Sequence, residues 1–113
     1  MKLSDRDKLI FEKILTKIEL LEAIAKDKSM EEFLQDEILQ HASAMAFLNI
    51  GELANKLSKE ITENAKEIPI HKMRGMRNVA AHEYDALRFD KIWLTIEKDL
   101  PSLKQAIAKL IGE

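Results

Sequence analysis

At 113 residues and 13.0 kDa, with 46% hydrophobic and 34% charged residues, the chain holds apolar matter for one core and too much for a disordered segment. Three glycines and two prolines argue against a series of β-hairpins, and the absence of cysteine excludes a disulfide framework or a thiolate metal site. A net charge of −2 excludes binding of nucleic acid by bulk electrostatics, so any such role must be local.

The opening Met1-Lys2-Leu3-Ser4-Asp5-Arg6-Asp7 is charged at once and lacks the apolar core of a signal peptide. No apolar run approaches the roughly 20 residues of a spanning helix. A soluble, cytoplasmic protein with no membrane contact is expected.

Ser4, with Asp7 three residues on, is an N-cap arrangement. Ile10, Ile14, Ile18, Leu21 and Ala25 then recur at helical steps, which predicts a long amphipathic helix. Asp27-Lys28-Ser29 breaks it, and Ser29-Met30-Glu31-Glu32 is a capping box that restarts helix. From Met30 to about Glu67 no proline intervenes. Phe33, Ile38, Met45, Leu48, Leu53, Leu57 and Ile61 keep helical spacing there, predicting a short helix that runs into a long one with those residues inward. Gly51 interrupts this pattern, either to let a neighbouring helix close in or as a tolerated accident.

Ile68-Pro69-Ile70 ends that helix and favours a new start at Pro69, after which Ile70, Met73, Met76, Val79 and Ala80 repeat. The pattern lapses from Glu83 to Arg88. Phe89, Ile92, Trp93, Ile96, Leu100, Leu103, Ile107 and Leu110 resume it in a last helix that Pro101 should bend or restart. With no repeat and no linker, residues 1–113 read as a single all-α domain, an antiparallel bundle of four or five helices.

The third long segment carries the chemistry. His71 to His82 holds Lys72, Arg74 and Arg77 and no acid. Such a stripe can grip phosphates, for which the planar arginine fork is suited, or it can be a basic face paired with acidic neighbours. Arg77 and His82 are five apart, about 140° around a straight helix, so spacing alone does not make them neighbours. They meet only if the helix ends near His82 or if a second subunit brings its own copy across a two-fold axis. His41 and His71 have no partner at metal-ligand spacing, and no metal or cofactor is expected.

Arg77-Asn78-Val79-Ala80-Ala81-His82-Glu83-Tyr84 resembles the R-x4-H-x-Y signature of HepT-like ribonuclease toxins, a branch of the HEPN superfamily. The flanks agree: Ile50-Gly51-Glu52, Ile68-Pro69, Gly75-Met76, Trp93 and Leu100-Pro101-Ser102-Leu103 resemble the family's pattern in order. Ile70 departs from it where an aromatic often follows I-P.

The resemblance implies a HEPN-type bundle that dimerises into an RNA-cleaving cleft without a metal. His82 would act as general base on the ribose 2′-hydroxyl and Arg77 would stabilise the phosphorane, leaving a 2′,3′-cyclic phosphate. Asn78 would orient phosphate or imidazole, or cap the helix locally. Lys72 and Arg74 are RNA-binding candidates. Tyr84 would be the AMP acceptor for an MntA-like nucleotidyltransferase antitoxin, or simply pack with its hydroxyl outward. The rival reading is a non-catalytic, substrate-binding partner of a minimal nucleotidyltransferase.

Overall fold

The computed structural model describes residues 3–82 and 88–112, with residues 79–82 described as backbone. Helix α1 spans Asp5–Ala25 and begins where the Ser4 hydroxyl accepts the Asp7 amide at 3.1 Å. It buries Ile10, Phe11, Ile14, Ile18, Leu21 and Ile24, the face expected from the spacing, with Ala25 at its edge. Asp27, at φ 58°, turns the chain, and the Ser29 capping box opens α2 (Met30–Leu34), its amide donating to Glu32 Oε1 at 3.0 Å.

Helix α3 runs Glu37–Asn55 from an Asp36 cap. Its buried face differs from the expected one. Ser43, Ala44, Ala46, Phe47, Ile50, Gly51 and Ala54 point inward, whereas Ile38 is 81% and Met45 56% exposed. The reason is steric: α3 lies between α1 and α5, and small side chains let both approach closely. Phe47 and Ile50 share that inward face, whereas Ile38 and Met45 lie on the opposite side of the helix.

The long helix also stops sooner than its periodicity predicts. Ser58 caps a separate α4 (Lys59–Asn64), accepting the Ile61 amide at 3.3 Å. Two residues near the start of α1 secure this junction. Arg6 Nη1 donates to the Lys56 carbonyl at 2.7 Å, and the buried Asp7 carboxylate accepts the Ser58 amide at 3.0 Å and hydroxyl at 2.6 Å. Burial pushes the Asp7 carboxyl up, but the hydrogen bonds from Ser58 and Ser4 outweigh it and hold it below its usual range.

Helix α5 spans Ile70–His82, one residue after the expected start, with Met73 N–H donating to the Pro69 carbonyl at 3.0 Å. The C-terminal rod comprises α6 (Phe89–Leu94), a π-turn (Thr95–Asp99) and α7 (Leu100–Leu110). Pro101 explains the π-turn: it has no N–H to give and its ring crowds the carbonyl four residues back, so the chain widens by one residue and Leu100 N–H reaches Thr95 O. Phe33 of α2 packs on Trp93 of α6, ring centres 5.4 Å apart. Among the described residues the architecture is all-α, with six helices when the rod is taken as one, and no helix is long and apolar enough to cross a membrane.

Candidate functional site on helix α5

Every described residue of the basic stripe lies on α5, whose inner face is Ile70 and Met73, both buried. Four polar side chains follow from that register. Lys72, Arg77 and Asn78 are exposed and Arg74 is half-buried. Arg74 is turned inward: its Nε donates to the Ala54 carbonyl at 3.3 Å, near the end of α3, and its Nη2 to Thr62 Oγ1 of α4 at 2.9 Å. It therefore braces α5 against α3 and α4, a positively charged group at a helix C-terminus.

Arg77 is placed by a glycine. A Cβ added to Gly51 would stand 2.5 Å from both Cβ and backbone N of Arg77 and 2.9 Å from its Cα. The two helices thus touch backbone to backbone at this point, and no other residue fits at position 51. Of the two readings of Gly51, close packing is the one that holds. The contact anchors the base of the Arg77 side chain, whose remainder is exposed.

Among the described residues the ion pairs are Lys59–Glu63 at 3.8 Å, Arg88–Asp90 at 2.7 Å and Lys104–Glu22 at 2.8 Å. None neutralises the stripe on α5. Arg88, at the start of α6, is raised and Asp90 lowered by their mutual hydrogen bonds at 3.0 and 2.7 Å. Among the described residues no cluster of three or more histidines and acids is placed to hold a metal ion.

Helix α5 stays regular through His82, so residues 77 and 82 leave the axis about 140° apart. The His82 side chain and Tyr84 lie outside the described residues. On the side of α5 away from Arg74 a cleft of about 920 Å³ opens towards the C-terminal rod, with Lys72, Gly75 and Asn78 on one wall and Lys91 and Thr95 on the other. The sequence pattern did not reveal this cleft, because its walls are about 20 residues apart and meet only in the fold.

These features define a helical bundle that presents one basic, arginine-bearing helix beside a polar-rimmed cleft. The family model described as "Ribonuclease HepT-like" matches residues 14–110, and the chain belongs to the HepT-like ribonuclease family. A protein of Thermococcus cleftensis with the provisional name ribonuclease HepT is 34% identical over 110 residues, covering 97% of this chain and 98% of its own. One from Caldanaerobacter subterraneus, provisionally named an RNase, is 33% identical over 100 residues, covering 88% and 89%. A third, from Methanocaldococcus jannaschii and named likewise, is 30% identical over 88 residues, covering 78% and 76%. No solved structure matches the chain.

Proposed function

We propose that the protein is an endoribonuclease that cleaves RNA without a metal, using Arg77 and His82. The observation that carries this reading is the family membership joined to the R-x4-H sequence on α5, with Arg77 exposed and seated on Gly51. His82 takes the proton of a ribose 2′-hydroxyl, whose oxygen attacks the adjacent phosphorus. The bond from phosphorus to the 5′-oxygen breaks, that oxygen takes up a proton, and the products are a 2′,3′-cyclic phosphate and a 5′-hydroxyl end. Arg77 carries the extra negative charge of the phosphorane, and its fixed base spares reorganisation during the reaction. Lys72 attracts the strand; Arg74 serves mainly as the brace behind it.

The 140° divergence of residues 77 and 82 favours an active site completed by a second copy of the chain, one copy supplying arginine and the other histidine. Tyr84, two residues past His82, is the proposed acceptor of AMP from a nucleotidyltransferase antitoxin, its phenol attacking the α-phosphate of ATP with release of pyrophosphate. The added charge would compete with RNA phosphate for Arg77. Intact-mass measurement with the partner and ATP should show an AMP-sized gain on the wild type and none on Tyr84→Phe; an equal gain on both rejects the assignment.

The central test is cleavage of mixed RNA in EDTA. It should survive chelation, fall by roughly 10²- to 10³-fold in Arg77→Ala and by roughly 10²- to 10⁴-fold in His82→Ala, with helicity retained. Cleavage that stops on chelation, or persists in both variants, overturns the mechanism. A protein that never cleaves but binds a nucleotidyltransferase would instead be its non-catalytic partner.

A further inference from the structure

Of the cleft between α5 and the C-terminal rod the chemistry above uses only Lys72, and three features give the rest a purpose. Its floor is apolar, formed by Phe47, Met73, Met76 and Leu103, and its volume of about 920 Å³ is in the range that encloses a ligand. Lys66, Lys72 and Lys91 stand around it, each exposed and with no ion pair recorded among the described residues. Glu67, Asp99, Thr95 and Ser102 also line the wall, and such acceptors and hydroxyls suit the edges of a base and the hydroxyls of a ribose better than an aliphatic anion.

Gly75 is the third feature. It lies inside α5 and lines the cleft, yet a Cβ there would meet nothing within 4 Å. Glycine weakens a helix, and the packing of this chain does not require it here, in contrast to Gly51. A bare backbone edge facing a cleft is what the close approach of a ligand needs.

We propose that this cleft binds a nucleotide unit, its base over Met76, with Met73 buried directly beneath, and its phosphate against the lysines. The inference rests on the ribonuclease reading for its direction. Asn78 lines the cleft and is the residue after Arg77, their Cα atoms about 3.8 Å apart. Arg77 leaves α5 about 100° from Asn78, so a strand whose phosphate it holds must cross that edge of the helix to lay a further nucleotide in the cleft. The same chemistry is offered by a free nucleotide, and the experiment separates the two sources.

Methyl NMR of the methionines reads the cleft directly, since Met73 and Met76 line it and Met30 of α2 does not. The probes are a short oligoribonucleotide with 2′-O-methyl groups, which cannot be cleaved, 5′-AMP, and dodecyl phosphate. The oligonucleotide should shift Met73 and Met76 and spare Met30. Gly75→Leu, whose Cβ has open space and whose longer side chain reaches into the cleft, should weaken this binding and raise KM for RNA roughly tenfold or more at unchanged helicity, the scale of one lost base contact, while Gly75→Ala changes little. Saturation by 5′-AMP alone assigns free nucleotides as ligands too; response to the oligonucleotide alone assigns the RNA strand. Equal shifts from dodecyl phosphate overturn base recognition. Unmoved Met73 and Met76 signals in a protein that still cleaves RNA overturn the cleft assignment and leave the ribonuclease standing. Cleft binding without any cleavage does the reverse.

Discussion

Single side chains at two positions decide how the site is held. Asp7 is buried and accepts both donors of Ser58, so it ties the first turn of α1 to the cap of α4. Its folded pKa lies below the ordinary 3.8. The stability it contributes is therefore present above that value and is lost as pH falls through the lower folded value. Urea midpoints should drop on acidification below about pH 4, and Asp7→Asn should flatten part of that drop. At neutral pH, Asp7→Ala should cost about 1–3 kcal/mol, because the Ser58 amide and hydroxyl lose their partner in a buried place. An unchanged urea midpoint for Asp7→Ala at neutral pH would refute this role. Arg74 looks equivalent to Arg77 in the sequence, yet its hydrogen bonds to Ala54 and Thr62 give it structural work.

Between elements, the contact of α3 with α5 is the critical one. At Gly51 the obstructing atoms are backbone and Cβ of Arg77 rather than the far end of a flexible chain, so the helices must separate to admit even a methyl group. Gly51→Ala should cost about 1–3 kcal/mol in chemical denaturation. It should cost more in catalysis, since displacing a catalytic group by about 1 Å can lose roughly 10²-fold in rate. Measured kcat at a temperature where the variant is fully folded separates the two effects; undiminished kcat would show that Arg77 does not depend on this seat. Gly75, two residues before Arg77 on α5, carries no such steric demand. The π-turn works at this scale as well. By admitting one extra residue before Pro101 it keeps Leu100, Leu103 and Ile107 buried in the core while Thr95 and Asp99 face the cleft.

For the whole molecule, the outer face of α3 is the feature a lone chain leaves unexplained. Ile38 and Met45 are seven residues apart on one side of that helix, both mainly exposed. In the proposed two-copy site, a second copy packed there would cover this surface and bring its own His82 to the first copy's Arg77. Light scattering should give twice the 13.0 kDa chain mass. Ile38→Glu with Met45→Glu should yield a folded monomer with little RNA cleavage, and a fully active monomer would refute a shared site.

Much of this was legible before any coordinates. Capping side chains act within three residues, so Ser4 and the Ser29 box announced their helices directly. The α5 residues and their likeness to HepT-like ribonucleases were likewise local, a short string whose order survives without its surroundings. What the fold alone decided depends on residues far apart in sequence. The inward face of α3 was misread because close helix packing rewards small side chains, which carry little hydrophobic signal. Ser58 went unrecognised as a helix start because Ile61 stands where a capping box has Glu or Gln, and the apolar spacing runs on through it. Whether a glycine is a seat or an opening, as at Gly51 and Gly75, is set wholly by what stands opposite, and only tertiary packing puts anything there.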